Sequence, residues 1–509
     1  MAPGRMQAVI LVEVSDPDPD DAARAPGAPS DSLSWRLVPA WRWLSQRGRP
    51  WWPLVAALVV LVAAAGAVSA AREQARAARL TAAPGVLTPL TASLHALWRE
   101  QQQGFSQVDG VGSNLLLFGP DPRGVLAVVS VDKLSGRRRW SAPLPEMTPS
   151  GDVWCVALGG SDRRDQARLA CRVVTASAVD IRTGNYRPQG PVGLLVLDAG
   201  TGARLADREL DSVNVGLAPF GHDLVVTQVL PDGRAQVSRQ DPVTGLPRWT
   251  FRSAQPIGSA AWDLPSLAPS VQHGVIIANG PVSWAFTGDG TVLGEWHLTG
   301  GDQASAGGWS LDVAVLPDGR FAVGESGGAS SRGQEYGTVS SSDARDGFTI
   351  PGPVLQPGVD DGSAADLLLT TARNGAGVVA LDAGTGNRRW ESPTTLKGGT
   401  ILLDGRLIGI ARSPTAVTGI ELTALDTRTG RLLWTVRLPA AGQPEQVLTD
   451  GRLLVVPMYA PEAGAVLVAF DPADGRSRWR VQVPARLHHL AVVDRRLYAL
   501  TEGELIALS

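Results

Sequence analysis

Short apolar runs and polar turns alternate along the chain from about residue 94 to the C-terminus. Runs of about four to eight apolar residues bounded by turn residues are typical of β-strands. One pattern recurs five times in full, as an apolar run followed by Asp-x-x-x-Gly-x-x-x-Trp. The full copies are Asp132, Gly136 and Trp140; Asp241, Gly245 and Trp249; Asp382, Gly386 and Trp390; Asp426, Gly430 and Trp434; and Asp471, Gly475 and Trp479.

Four further copies of the pattern are incomplete. They are Asp198 and Gly202 with Ala206 in place of the Trp, Asp343 and Gly347 with Pro351 in that place, the degenerate Ala285–Gly290 that continues to Trp296, and the strand half Ile506–Ser509. From Asp198 onward the turn aspartates lie 39 to 54 residues apart, a period that predicts the four-stranded blades of a β-propeller. We expect one of the nine copies to form no blade, and we predict an all-β propeller of about eight blades, with seven as the alternative.

The spacing of the motif has a physical reason. An Asp side chain accepts hydrogen bonds from the turn that it opens, and Gly four residues later permits the positive φ at which the chain reverses. The Trp then lies on the next strand, where a large aromatic ring can pack between neighbouring units. These residues are therefore predicted to be structural.

The segment Ala380–Trp390, with the sequence ALDAGTGNRRW, resembles the repeat of pyrroloquinoline-quinone (PQQ)-like β-propellers. The resemblance covers Leu94–Ser509. It implies that each Trp docks one blade on the next and that the first and last strands share one sheet. Leu97–Arg99 resembles the Trp-bearing strand and is expected to complete the blade that Leu500–Ser509 begins. A WD40-type propeller is the alternative, but the sequence has no repeated Gly-His and Trp-Asp signature.

An uncharged apolar run precedes the repeats. The nineteen residues Pro53–Ala71 would span about 28 Å as a helix, close to the thickness of the hydrocarbon core of a bilayer. We predict a disordered cytoplasmic tail (1–50), one transmembrane helix (51–71), a stalk (72–93) and the propeller (94–509). The alternative is a buried core helix, although the run has no polar face.

The orientation of the span follows from its flanks. Four arginines precede the run and three follow it, which favours a cytoplasmic N-terminus by a small margin. Because the large repeat region follows the span, we expect the propeller on the outer side of a cytoplasmic membrane. Val68–Ala70 also resembles a signal-peptidase site, at which the anchor would be cleaved. Arg72–Arg99 is rich in Ala and Arg, and a helical stalk is predicted there.

The tail has two parts. Ala8–Val14 is apolar and β-branched, and the acidic, Pro-punctuated run Asp16–Asp21 follows it. The first part could add as a strand to the sheet of a partner. The alternative, which we favour, is a disordered leader.

The amino-acid composition narrows the class of protein further. Hydrophobic residues make up 44% of the chain, enough for a large core, and a net charge of −3 argues against a general nucleic-acid binder. The only lysines are Lys133 and Lys397, and so much Arg suggests a high-GC bacterial genome.

Cys155 and Cys171 fall on two adjacent antiparallel strands of the long first repeat. In an exported domain we expect them to form a disulfide worth about 3 kcal/mol.

No catalytic, cofactor or metal site is indicated. The resemblance implies that related quinoprotein dehydrogenases hold PQQ against a disulfide of adjacent cysteines, with calcium nearby. This sequence has no Cys-Cys and no matching calcium ligand. Gly324–Gly328 matches Gly-x-Ser-x-Gly, but no helix pattern follows it. The histidines are scattered without zinc-site spacing, and Asp360 and Asp361 in a Gly-rich loop are expected to be solvated.

We therefore expect a non-catalytic binding or scaffold module outside the membrane, which holds a protein or envelope ligand and uses no cofactor. Two alternatives stay open. A sensor would transmit binding through the span to the segment Ile10–Asp21. A PQQ-dependent dehydrogenase would require calcium-dependent binding of PQQ.

Overall fold

A computed structural model describes one helix and a ring of β-sheets. The described residues are 52–83, 85–92, 94–101, 107–120, 125–145, 152–159, 167–179, 186–188, 192–210, 212, 214–257, 267–297, 310–326, 337–340, 347–372, 376–412, 420–439, 446–460, 464–483, 487–501 and 503–509. The predicted cytoplasmic tail, including Ala8–Val14 and Asp16–Asp21, lies outside them.

Helix α1 covers Trp52–Ala82 and includes the whole apolar run Pro53–Ala71. Among the residues that the structure describes, no helix combines the length and the apolar character that a membrane span needs. The compact unit that contains the sheets begins at Gln74, within α1. The helix ends two residues before Pro84, a residue that has no backbone N–H and that disfavours helix in the residue before it.

Within the described residues the strands form nine blade sheets and one two-stranded hairpin. We number the sheets blades 1 to 9 in chain order; β1 (Ala96–Gln101) belongs to blade 9. Blade 1 contains β2 (Gln107–Val111), β3 (Asn114–Pro120), β4 (Leu126–Asp132) and β5 (Arg138–Pro143). Blade 2 contains β6 (Asp152–Leu158), β7 (Arg168–Val174), β10 (Val192–Asp198) and β11 (Arg204–Leu210), with the hairpin β8 (Ser177–Val179) and β9 (Tyr186–Pro188) inserted. Blade 3 contains β12 (Val215–Phe220), β13 (Asp223–Val229), β14 (Arg234–Gln240) and β15 (Pro247–Pro256).

The strands of the next three blades are on average shorter than those of blades 1 to 3, and blade 6 has one strand fewer. Blade 4 contains β16 (Ala268–Gln272), β17 (Val275–Asn279), β18 (Val282–Phe286) and β19 (Val292–His297). Blade 5 contains β20 (Ser310–Val315), β21 (Phe321–Ser326), β22 (Gly337–Ser340) and β23 (Phe348–Ile350). After β24 (Val359–Asp360), blade 6 contains three strands, β25 (Leu367–Thr371), β26 (Val378–Asp382) and β27 (Arg388–Ser392).

The last three blades complete the ring. Blade 7 contains β28 (Leu396–Leu403), β29 (Arg406–Arg412), β30 (Ile420–Asp426) and β31 (Leu432–Leu438), with β24 added at its first strand. Blade 8 contains β32 (Leu448–Thr449), β33 (Leu454–Ala460), β34 (Gly464–Phe470) and β35 (Ser477–Gln482). Blade 9 contains β36 (Leu487–Val493), β37 (Arg496–Thr501), β38 (Glu504–Leu508) and β1.

Apart from the added β24, the strands of each blade pair antiparallel, and the first strands of blades 9, 1, 2, 3 and 4 contact one another in turn, so the first strand is the innermost. The turns that join first to second strands and third to fourth strands lie on one face of the ring. We call this face the turn face. It carries the Asp-Gly turns of the motif that lie within the described residues.

The ring is closed as expected from the resemblance. Strand β1 pairs antiparallel with β38, with Arg99 opposite Ile506 and Glu100 opposite Leu505. Tyr498 of blade 9 packs in one apolar cluster with Leu115 of blade 1. The N-terminal strand therefore completes the C-terminal blade.

The predicted number of about eight blades is wrong, because the described strands form nine. Nine apolar clusters lie between neighbouring blades, one at each junction, since strand side chains alternate between the two faces of a sheet. Even the degenerate copy Ala285–Gly290 forms a blade, with Thr287 accepting the Gly290 N–H through its carbonyl at 3.1 Å. Each of the nine sequence copies therefore corresponds to one blade.

The predicted disulfide is confirmed. Cys155 on β6 lies directly opposite Cys171 on β7, with an S–S distance of 2.11 Å and a Cα–Cα distance of 4.0 Å. Both cysteines are buried in the core between blades 1 and 2. The bond therefore joins the two innermost strands of blade 2.

The stalk differs from the expectation of a helix up to Arg99. After α1 the chain is extended, and we call residues 85–92 the arm. Val86 pairs in parallel with Thr449 at the inner edge of blade 8, and the Leu87 N–H donates to the Thr449 carbonyl at 2.8 Å. Val86, Leu87 and Leu90 are buried. The arm is therefore part of the propeller core.

Candidate functional site

The Asp of each full motif closes its own turn. Asp382 Oδ1 accepts hydrogen bonds from the Gly384 and Thr385 N–H groups at 3.2 and 2.9 Å and from the Thr385 hydroxyl at 2.9 Å. The N–H of Gly386, whose φ is +73°, donates to the Asp382 carbonyl at 2.9 Å. Turn N–H groups donate in the same way to Oδ1 of Asp132, Asp241, Asp426 and Asp471.

The Trp of one blade packs on the turn of the next. Trp390 of blade 6 lies on Gly430 of blade 7, where an added Cβ would be 2.4 Å from the ring. The Trp390 indole N–H donates to the Thr427 carbonyl at 2.6 Å. The same two contacts join Trp98 to the turn of Gly136, Trp140 to that of Gly202, Trp249 to that of Gly290 and Trp434 to that of Gly475. Trp479 packs against the core between blades 8 and 9.

Sequence reasoning missed an arginine in this motif. Arg389 forms an ion pair with the Asp382 carboxylate, and equivalent pairs join Arg139 to Asp132 and Arg478 to Asp471. Hydrogen bonds from Arg389 and from the Thr385 turn lower the pKa of Asp382 to about 2. The signal was present in the sequence, because Arg precedes the Trp in four of the five full copies.

Where the Trp is absent, other side chains take its place. In blade 2, which has Ala206 at the Trp position, Arg208 lies on Gly245 of blade 3. Its Nη1 donates to the Val243 carbonyl at 3.2 Å. Burial lowers the pKa of this guanidinium, with Asp241 acting in the opposite direction.

The junction between blades 5 and 6 uses two side chains. Phe348 lies on Gly386, and the Arg320 guanidinium carbon lies 5.5 Å from the centre of the Phe348 ring. Arg320 donates to the Gly384 carbonyl at 3.4 Å and also to the Ala383 carbonyl. This arginine therefore bridges the two blades on the turn face.

Beside this junction, blade 6 lacks most of its innermost strand. Val354 forms a single antiparallel bridge with Thr370. Only two backbone bonds between described residues join this segment to β25, from Leu355 N–H to Leu369 and from Thr371 N–H to Pro353. Pro357 follows, and a proline has no N–H with which to continue a ladder.

Residues 356–366, which we call the blade 6 insertion, then cross to blade 7. Strand β24 in the insertion pairs in parallel with β28, Val359 opposite Ile401. The Asp361 carboxylate, 2% exposed as a residue, accepts the Asp404 N–H at 2.7 Å, so the expectation that Asp361 is solvated is wrong. The Ser363 hydroxyl accepts the Gly405 N–H at 2.8 Å. The insertion is thus anchored to the first turn of blade 7.

The candidate functional site is a cleft of about 960 Å³ on the turn face, at the position of the missing inner strand. We call it the blade 6 cleft. Its walls are mainly apolar and come from blades 5 and 6, the insertion, and the C-terminal end of α1 with the residue after it. Representative lining residues are Leu316, Val354, Leu368, Ala365 and Ala83.

Four charged side chains line the blade 6 cleft. Arg320 pairs with Asp318 at 2.6 Å, and this arginine side chain is only 15% exposed. Arg79 of α1 extends over Gly362, where an added Cβ would lie 2.1 Å from its Nη1. The Asp360 carboxylate accepts the Gly362 N–H at 2.7 Å. The charges are balanced, and apolar surface dominates.

The residues considered earlier for chemistry are not assembled into a site. Gly324–Ser326 ends strand β21, whereas Gly327 and Gly328 lie outside the described residues. Within the part of the chain that the structure describes, no group of three or more His, Cys, Asp or Glu side chains could hold a metal ion. The cleft itself was not predicted from the sequence.

Comparison with known proteins gives one family match, over residues 418–509, to the family described as outer membrane protein assembly factor BamB. No curated protein matches the chain.

Solved structures similar to the chain include BamB from Moraxella catarrhalis, at 16% identity and a TM-score of 0.43, with 82% of this chain and 99% of that chain covered. The quinohemoprotein alcohol dehydrogenase ADHIIG from Pseudomonas putida HK5 is similar at 12% identity and a TM-score of 0.43, covering 84% of this chain and 81% of that one. The Dos1 propeller is similar at 9% identity and a TM-score of 0.45, covering 82% and 95%. The match over residues 418–509 and the repeated Asp-Gly-Trp motif support the resemblance of this chain to the PQQ-like β-propeller family.

Proposed function

We propose that this protein is a non-catalytic binding or scaffold module, anchored in a membrane by α1, and that it holds a protein partner in the blade 6 cleft. The observation that carries the proposal is the cleft itself. It is a concave, mainly apolar site at blade 6, in which the described residues form three strands. Concave apolar surface with a few convergent polar groups is the usual character of a binding site.

The rigidity of the surroundings supports a binding role. Arg320, Asp361 and Ser363 hold both sides of the cleft through bonds to neighbouring blades. A cleft with fixed walls loses little conformational entropy when a ligand enters, so more of the contact energy appears as affinity. The match of the last two blades to a family described as an assembly factor also favours a protein as the partner.

The membrane anchor is proposed from the sequence. The run Pro53–Ala71 is uncharged and long enough to cross the hydrocarbon core as a helix. Within α1, the apolar side chains of Val55 and of Leu58–Val62 are exposed to 55% or more, and exposed apolar surface of this kind is typical of a membrane or protein contact.

An extracytoplasmic position for the propeller is supported by the disulfide. The bond between Cys155 and Cys171 requires an oxidising compartment to persist, and the cytosol keeps most thiols reduced. The propeller follows the anchor in the chain, so this position corresponds to a cytoplasmic N-terminus.

The proposal is tested by site-specific photo-cross-linking in cells. A photoreactive residue replaces Ala365, which is exposed in the cleft, and the matched control places it at Ala473, exposed in a turn of blade 8. We expect a discrete cross-linked partner from position 365 and none from position 473. Equal products from both positions, or none from 365, would contradict partner binding in the cleft.

A second candidate function, a transmembrane sensor, is favoured by one feature. Arg79 and Ala83, at the end of α1, form part of the cleft wall. A ligand in the cleft would therefore contact the segment that leads to the proposed membrane span. Arg79→Ala should then weaken a cytoplasmic response to the partner while partner cross-linking continues. A response that is unchanged by this substitution would rule against the sensor.

A further inference from the structure

The two faces of the ring differ in the large apolar side chains that they expose. Within the described part of the propeller nine such side chains are exposed, and seven of them lie in a turn before an outermost strand or at the turn-face end of that strand. We call these seven the rim side chains; they are Leu97, Leu134, Leu205, Leu246, Val292, Leu432 and Leu433. The other two, Val125 and Trp154, lie toward the opposite face. Exposed apolar surface is therefore concentrated at the rim of the turn face.

The rim side chains are not needed to join the blades. Leu134 and Leu246 lie in the turns between the third and fourth strands of blades 1 and 3, and Leu432 begins the fourth strand of blade 7. Leu134 and Leu246 are 69% and 68% exposed, so neither contributes to the core between blades. A single exposed leucine is ordinary, but a set confined to one face of a molecule is typical of a contact with a protein or a membrane.

The chain that leads to the proposed membrane span leaves the propeller from this same face. Leu80 packs against the core between blades 7 and 8 and lies on Gly451 in the first turn of blade 8, where an added Cβ would be 3.3 Å from its Cδ1. Leu80 is nine residues after Ala71, the last residue of the apolar run, which is about 14 Å along a helix. So short a connection keeps the turn face close to a membrane in which the run is inserted.

Exposed arginines accompany the rim side chains. Arg431 directly precedes Leu432, and its side chain is exposed. Arg248 follows Leu246 by two residues and is also exposed. Apolar side chains beside cationic ones suit the interface of a bilayer, because the former enter the boundary of the acyl chains while guanidinium groups pair with phosphates of the headgroups. A lipid surface therefore complements the rim in both respects.

We propose that the rim of the turn face rests on the lipid surface of the membrane in which α1 is anchored, with the rim side chains at the boundary between headgroups and acyl chains. This inference rests on the anchor proposed above and adds a second contact with the bilayer. Leu134, Leu246 and Leu432 lie on three different blades, so their contacts would hold the plane of the ring along the membrane surface. The blade 6 cleft opens on the same face, and its partner would reach it along that surface.

The test uses the full-length chain in vesicles of phosphatidylethanolamine and phosphatidylglycerol. A fluorophore is attached to a single added cysteine, at Leu246→Cys or Leu432→Cys on the rim, or at Val125→Cys, the matched exposed apolar position toward the opposite face. Leu58→Cys, in the proposed span, reports the anchor separately. Circular dichroism verifies that each variant is folded. Fluorescence is compared between plain vesicles and vesicles whose lipids carry a spin-label quencher near the headgroup or in the middle of the acyl chain.

We expect the labels at positions 246 and 432 to lose most of their fluorescence to the headgroup quencher, the label at 58 to lose most to the acyl-chain quencher, and the label at 125 to lose none. Quenching at position 58 alone would overturn the contact of the rim with lipid and leave the anchor intact. Quenching at 246 and 432 without quenching at 58 would support the rim contact and contradict the anchor. Equal quenching at 246 and 125 would show that neither face is preferred and would also overturn the proposal.

Discussion

The junction between blades 6 and 7 and the junction between blades 5 and 6 solve the same packing problem in different ways. At the first, Trp390 covers Gly430 and donates to the next turn, as the repeat dictates. At the second, Phe348 covers Gly386, and Arg320 supplies the hydrogen bonds. The inner strand beside the second junction is incomplete, and a cleft lies there. The comparison teaches that an aromatic ring and an arginine can replace the Trp contact between two blades, and that the cleft lies beside one junction of this kind.

The largest effect should follow from removing the ring of a regular junction. Trp390→Ala leaves a cavity and an unpaired Thr427 carbonyl, and we expect a loss of about 3–5 kcal/mol in the free energy of unfolding. Phe348→Ala should cost less, because Arg320 continues to bridge the blades. Urea denaturation followed by circular dichroism measures both. Equal losses would remove the distinction between the two junctions.

The disulfide should have the next largest effect. The bond between Cys155 and Cys171 joins two strands of blade 2 on the side that faces blade 1. Replacing both cysteines by Ala should lower stability by about 3 kcal/mol, since the bond closes a loop in the unfolded chain. Denaturation of the double variant, compared with the natural chain in oxidising buffer, measures the loss. A double variant as stable as the natural chain would contradict a stabilising role for the disulfide.

A smaller loss of stability should distinguish the backbone strain of an alanine at positive φ from the loss of the contact between Trp390 and the turn of blade 7. Gly430→Ala introduces a Cβ 2.4 Å from Trp390 at a φ of +69°, whereas Gly319→Ala meets nothing within 4 Å at a φ of +86°. Both substitutions carry the strain of positive φ, about 1–2 kcal/mol, and only the first disturbs a ring. We expect Gly430→Ala to lower the melting temperature clearly more than Gly319→Ala does. Similar melting temperatures would mean that the Trp moves without cost.

The smallest effect should appear as a dependence on pH. The folded pKa of Asp382 is lowered to about 2, chiefly by Arg389, so its stabilising contribution is present above the ordinary pKa of about 3.8 and is lost as pH falls toward 2. Asp382→Asn should therefore reduce the loss of stability between pH 5 and pH 2. The pKa of Asp312 is raised by desolvation, so Asp312→Asn should act in the opposite sense. Melting temperatures of the two variants and of the natural chain between pH 5 and pH 2 test whether the two substitutions change the pH dependence in opposite directions.

Much of the ring could be predicted from the sequence, because the Asp-Gly-Trp copies repeat at a regular interval and each copy specifies its turn locally. The closure through Leu97–Arg99 was implied by the family resemblance, and the pairing of Cys155 with Cys171 was predicted from their places on two adjacent antiparallel strands. The number of blades was underestimated because at least one weak copy of the motif was expected not to fold as a blade. In the weak copy Ala285–Gly290 the turn is held by the Thr287 and Asp289 side chains, both of which accept the Thr291 N–H, together with interblade packing.

The cleft could not be predicted in the same way. It results from a strand that stops early, from an insertion that crosses to the next blade, and from the end of α1, which forms part of the wall. These are long-range pairings with no local periodicity. One signal was nevertheless present, since Pro351, Pro353 and Pro357 interrupt the region where an inner strand was due.

The central claim, that the blade 6 cleft holds the partner, is tested most directly by hydrogen exchange of the full-length protein with and without the partner captured from position 365. The account predicts slower exchange in Leu367–Leu369 and in the facing residues Ala314–Leu316, with blades 8 and 9 unchanged. Protection confined to blades 8 and 9, with none at β25, would contradict it and would place the partner on the regular part of the ring.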